Sequence, residues 1–88
     1  MTTVRRFKPA VRRKIMLAAA VAIANEKGLL AVTFDNVADR CSVDTSRHTV
    51  KYYFRTIPAL YSAVVDHKDC NAEIAEKGRA LGYGTNDD

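Results

Sequence analysis

The stretch Thr33-Phe34-Asp35-Asn36-Val37-Ala38-Asp39-Arg40-Cys41-Ser42-Val43-Asp44-Thr45-Ser46-Arg47-His48-Thr49-Val50-Lys51-Tyr52-Tyr53-Phe54 decides the fold. Phe34, Val37, Ala38 and Cys41 recur at spacings of three and four, which puts them on one face of a short helix. Thr33 is a good N-cap for that helix, and Asp35 favours the positive end of its dipole. The helix ends near Cys41 or Ser42. Ser42–Thr45 reads as a polar turn around one apolar residue, Val43, placed to plug the space between two helices. Ser46 can cap the next helix, whose inner face takes Val50 and Phe54 at i and i+4. Thr, Val and Tyr also favour strand. The helical reading wins because the apolar spacing is three to four and the caps fall in register.

Working outward, Pro9 suits a first helical position and Gly28 a helix stop, so a first helix is expected over about Pro9–Lys27. Val11, Ile15, Ala18, Ala19, Ala22 and Ile23 trace its apolar stripe. Residues 28–32 form the connection. After Phe54, Thr56 caps a fourth helix and Pro58 falls in its first turn, where a missing N–H costs little. Leu60, Ala63, Val64, His67, Cys70, Ile74 and Leu81 give this helix one long apolar line, weakened in its later half by Asn71 and Gly78. Gly82-Tyr83-Gly84 ends it. The expectation is an all-α domain of about four helices, with no strand and no internal repeat. It divides into a basic flexible arm (1–8), one folded domain (9–82) and a disordered tail (83–88).

The chain has 88 residues, 48% hydrophobic and 27% charged. That length allows one small domain burying about 60–65% of its unfolded surface, which leaves little room for a catalytic cleft. No nucleophile–base pair, glycine-rich phosphate loop or carboxylate dyad stands out, and no enzyme is expected. The net charge of +4 is unevenly spread: residues 1–14 and 40–55 together carry +9, the remainder −5. Such a basic arm and basic middle suit a polyanion partner; the plain alternative is a solvated surface. Two cysteines make no disulfide scaffold. Cys41, Cys70, His48 and His67 lack the close pairs of a zinc site, so neither metal nor cofactor is expected, and the thiols read as reduced. Met16–Ala24 behind Arg5-Arg6 and Arg12-Arg13 imitates a secretory leader. Nine apolar residues fall short of the about 20 that span a bilayer, and the first-helix reading is preferred, with no membrane partner and a cytoplasmic, nucleoid-associated location.

A short helix, a turn and a second short helix with a basic, polar outer face form a helix-turn-helix. Over about Arg12–Val65 the chain resembles the N-terminal DNA-binding domain of the TetR family of transcriptional repressors. Ala18-Ala19 and Glu26-Lys27-Gly28 resemble the family's first helix and its glycine exit. Thr33-Phe34-Asp35-Asn36-Val37-Ala38 resembles the start of its second helix. Ser46-Arg47-His48-Thr49-Val50-Lys51-Tyr52-Tyr53-Phe54 resembles its recognition helix, and Arg55-Thr56-Ile57-Pro58-Ala59-Leu60 the start of its fourth. Two extra residues precede Arg47, Ser42 and His48 stand where glycine is usual, and Lys51 stands where tyrosine is common. The chain stops just after helix four, so no inducer-binding C-terminal domain is expected.

A helix fits the major groove of B-DNA and presents its N-terminal residues to base edges. Arg47 can bridge a guanine, Lys51 a phosphate, and His48 and Thr49 a base or the backbone. Tyr52 and Tyr53 offer hydroxyls to phosphate, and the resemblance implies that the position of Tyr53 meets the DNA backbone. Thr33, Thr45 and Ser46 can cap helices and donate to phosphates. Arg5 and Arg6 would track phosphates or enter a minor groove. The expected function is a small repressor that occludes promoters by binding a palindromic operator in double-stranded DNA as a homodimer. Leu60, His67, Ile74 and Leu81, spaced by seven, form the expected dimer seam. The alternative is a helical protein-interaction module that binds another regulator or a nucleic-acid enzyme. The DNA reading requires Ser46 through Phe54 to be helical with its polar side in solvent.

Overall fold

Pro9 starts α1 (Pro9–Lys27), where its missing N–H would have had no helical partner, in a computed structural model that describes residues 8–41 and 45–84. Gly28 ends α1 at φ 99°, a left-handed conformation open to glycine, and its N–H donates to the Ala24 carbonyl at 2.8 Å. A single 3₁₀ turn, Leu29–Ala31, leads to α2 (Phe34–Arg40). The remaining helices are α3 (Arg47–Phe54), α4 (Ile57–Val65) and α5 (Ala72–Ala80). Among the described residues all regular structure is helical, so the all-α expectation holds with five helices rather than about four.

Each short helix begins with a side-chain cap. Asn36 N–H donates to Thr33 Oγ1 (3.0 Å), Thr49 N–H to Ser46 Oγ (3.3 Å), and Ala59 N–H to Thr56 Oγ1 (3.2 Å). Such a cap contributes about 1 kcal/mol, which matters for helices of two turns that would not persist alone. The core draws on every helix. Met16, Ala20 and Ala24 from α1 meet Val37 from α2, Val50 from α3, and Leu60 and Val64 from α4, all fully buried together with Val32. Burial of each large side chain stabilises by roughly 1.5–3 kcal/mol.

Two details of α1 and the C-terminus differ from the sequence reading. The buried face of α1 is Met16, Ala19, Ala20, Val21, Ile23 and Ala24; Val11 and Ala18 lie outside, and Ile15 and Ala22 are half-buried. An unbroken apolar run has no phase of its own, so its neighbours chose the face. At the other end, packing continues past residue 82. Tyr83 stacks edge-to-face on the buried Tyr61 with centroids 5.0 Å apart, and Gly84 N–H donates to Ser62 Oγ at 3.1 Å. Gly82, at φ 99°, allows this return: Gly82 N–H reaches the Arg79 carbonyl and Tyr83 N–H the Gly78 carbonyl, both at 2.9 Å. Residues 85–88 of the expected tail lie outside the described residues.

The larger correction concerns the long fourth helix. It breaks at Asp66, and α5 starts afresh at Asn71, whose Oδ1 accepts from Glu73 N–H at 2.9 Å. The corner is held from α1. The Asn25 side chain donates to the Asp69 carbonyl (3.0 Å) and accepts from Asn71 N–H (2.7 Å). His67 Nδ1 accepts Asp69 N–H at 3.0 Å inside the same corner. The seven-residue seam therefore does not exist as a surface. Leu60 is fully buried in the core, His67 sits in the corner, and only Ile74 and Leu81 belong to the C-terminal segment. The return also lays α5 on α4, where a Cβ at Gly78 would stand 2.3 Å from Val65 Cγ2. Gly78→Ala is expected to destabilise the fold by about 1–3 kcal/mol, because the clash outweighs alanine's better helix propensity. A urea-denaturation midpoint measures this; an unchanged or raised midpoint would contradict the close α4–α5 contact.

Candidate nucleic-acid interface

Val50 and Phe54 are buried, so the opposite side of α3 faces outward. Arg47, His48, Lys51 and Tyr52 are exposed, Tyr52 to 77%. Thr49 and Tyr53 are half-buried, and Tyr53 packs against the core and edge-on to Tyr52 with centroids 5.5 Å apart. The polar side of Ser46–Phe54 is therefore in solvent, as the DNA reading requires.

Arg47, His48 and Lys51 share a groove of about 380 Å³ with Thr33, Phe34 and Asp35 at the start of α2 and Ile57 at the start of α4. A second shallow surface joins His48, Lys51 and Tyr52 to Arg55. The face thus carries three permanent cations, Arg47, Lys51 and Arg55. It also carries one acid: Asp35 lies 3.5 Å from Arg47, both side chains more than half exposed. An exposed pair of this kind is worth about 0–1 kcal/mol and yields readily to a competing anion. Its effect is to orient Arg47 across the groove.

Arg55 was not among the sequence-based site residues. It sits at φ 71°, ψ −57°, the only described non-glycine residue with positive φ, in a tight turn closed by Thr56 N–H to the Phe54 carbonyl at 2.8 Å. This γ-turn is strained for a residue with a Cβ. It ends α3 and presents the Arg55 side chain beside Lys51 and Tyr52. Backbone strain leaves no mark in a single sequence, so only the local charge count hinted at this residue.

The basic start of α1 lies alongside. The Arg13 guanidinium stands 4.8 Å above the Phe54 ring, a cation–π contact that ties α1 to the end of α3. Arg12 is close enough to Cys41 to act on its thiol. Arg5 and Arg6 lie outside the described residues, as do Ser42, Val43 and Asp44 of the expected turn. Thr33 and Ser46 are engaged as caps; the Thr33 hydroxyl accepts through a lone pair and keeps its O–H for another acceptor, and Ser46 Oγ also shares a hydrogen bond with Thr49 Oγ1 at 3.2 Å. Thr45 is half-buried and acts on the thiol of Cys41 through a side-chain hydrogen bond.

Burial pushes both thiols above the usual cysteine range, Cys41 against the opposing pull of Thr45 and Arg12, and Cys70 against that of Arg79. Protonated thiols are poor nucleophiles and poor ligands. Among the described residues no three His, Cys, Asp or Glu side chains converge as a metal site, and no helix is long and apolar enough to cross a membrane. Comparison of the chain with models of known families, with curated proteins and with solved structures finds no match.

The strain at Arg55 generates a test. Arg55→Gly is expected to raise stability by roughly 1 kcal/mol, since glycine accepts this backbone without the Cβ penalty. Thermal or chemical denaturation measures the change; a loss of stability would mean that the Arg55 side chain itself anchors the turn.

Proposed function

We propose that this chain is a sequence-specific regulator that binds double-stranded DNA through α3, in the manner of the TetR N-terminal helix-turn-helix domain that its sequence resembles. The observation that carries the reading is the division of α3 into a buried seam, Val50 and Phe54, and an exposed face bearing Arg47, His48, Lys51 and Tyr52. A helix so held can enter a major groove, where Arg47, near its N-terminus, takes the bidentate partner of a guanine. Lys51 and Arg55, further along, neutralise phosphates, and Tyr52 donates its hydroxyl to the backbone. The Asp35 carboxylate gives way to the base edge when Arg47 docks. Arg5 and Arg6 precede α1, whose basic start adjoins α3, and they add contacts of the same sequence-independent kind. One such helix reads only a few base pairs, so useful selectivity calls for two copies on a palindrome, with half-sites about 34–36 Å apart or a multiple of it. Repression then follows from occupancy of a promoter.

The alternative, a helical protein-interaction module, is separated by a gel shift with genomic fragments. A shift whose log affinity falls steeply with log salt supports DNA contact; absence of any shift at low salt rejects it. Within the DNA reading the side chains have different signatures. Arg47→Ala is expected to cost about 1–3 kcal/mol and to relax preference at one position. Lys51→Ala, Arg5→Ala and Arg6→Ala are each expected to weaken all sequences alike and to lower the salt slope by about 1. Unchanged affinity of Arg47→Ala for its selected site would rule out α3 as the recognition helix.

A further inference from the structure

Four large apolar side chains are exposed among the described residues, and two of them, Leu30 (81%) and Leu81 (68%), line the same groove. The groove has a volume of about 330 Å³ and shares no lining residue with the α3 groove. Its floor is Leu29, Tyr61, Ile74 and Tyr83, and its charged rim is Lys27 of α1 and Lys77 of α5. Clustered exposed leucines over an apolar floor mark a contact surface rather than scattered surface apolarity.

Charge indicates the occupant. The acids of α5, Glu73 and Glu76, fall in its first half, and its bases, Lys77 and Arg79, in its second. Glu73 and Lys77 are four residues apart and so lie on one side of the helix, next to the stripe of Ile74 and Leu81. The rim of the groove is cationic, and the start of α5 is acidic and apolar. A second copy of this chain, laid antiparallel across a two-fold axis, brings Glu73 of each protomer toward Lys77 and Lys27 of its partner. The same arrangement opposes the two helix dipoles head to tail and covers Leu81 in both copies. A parallel arrangement would set like charges together. We infer that the groove between the Leu29–Ala31 turn and α5 is the homodimer interface, formed isologously. The inference rests on the DNA-binding reading for the dimer's purpose, and on the groove alone for its geometry.

Sedimentation equilibrium of the full chain without DNA tests it. The wild type is expected to pass from 9.7 kDa toward twice that mass as concentration rises. Leu81→Glu, a change at an exposed site, should weaken self-association by at least about 10-fold with an unaltered circular dichroism spectrum. Lys77→Glu should weaken it too, and adding Glu73→Lys should restore part of the loss, since Lys27 still faces residue 73. A wild type that stays monomeric at millimolar concentration overturns the inference. So does a Leu81→Glu variant that associates as tightly as the wild type, or a charge swap that restores none of the lost association. Binding of the apolar anion anilinonaphthalene sulfonate to a non-associating wild type would reassign the groove to a small acidic ligand. The two readings fail separately. A dimer that shifts no DNA sinks the regulator and leaves the interface, whereas a monomer that still shifts a half-site sinks the interface alone.

Discussion

Two side chains hold α3 in place. An eight-residue helix does not persist alone in water, so α3 exists because Val50 and Phe54 are buried against α1, α2 and α4 and because Ser46 closes its first turn. That constraint divides the helix. With Val50 and Phe54 confined to one seam, Arg47, His48, Lys51 and Tyr52 are left exposed for polar recognition. Arg13 strengthens the anchor by lying on the Phe54 ring, so one cation of the basic N-terminal region serves the architecture.

The same division shapes the electrostatics. Arg40 donates to both carboxylate oxygens of Glu26, which holds that carboxyl below its usual range and links α2 to the end of α1, away from α3. Arg47 is paired only loosely, with an exposed Asp35. Cations that brace the fold are thus bound by hydrogen bonds or a ring, whereas Arg47 on the candidate recognition face is held by a contact that an incoming anion can replace. The groove rimmed by Lys27 and Lys77 is lined by a separate set of residues, so the proposed self-association and DNA contact need not compete.

Much of this was legible along the chain. Thr33, Ser46 and Thr56 announce three helix starts, Pro9 a fourth and Gly28 a stop, because capping and backbone conformation act within a few residues of their cause. The exposed positions of α3 follow from two apolar residues four apart. The phase of α1 was less legible, since ten successive apolar residues, 15–24, fit several faces equally. Arg55 escaped because its strained backbone is imposed by the packing of α3 and α4 on either side.

Local physics written in the sequence therefore determined the helix content, most helix boundaries and the outward face of α3, each set by neighbours three or four residues away. Only the tertiary structure decided where the C-terminal third goes. A heptad line through Leu60, His67, Ile74 and Leu81 reads as one long helix, against which Asn71 and Gly78 weigh only weakly. Yet Asn25, more than forty residues distant, offers the hydrogen bonds that stabilise a corner, and the missing side chain of Gly78 leaves room for α5 to pack back against Val65. Contacts between residues so far apart are set by three-dimensional fit, for which a one-dimensional pattern carries no signal.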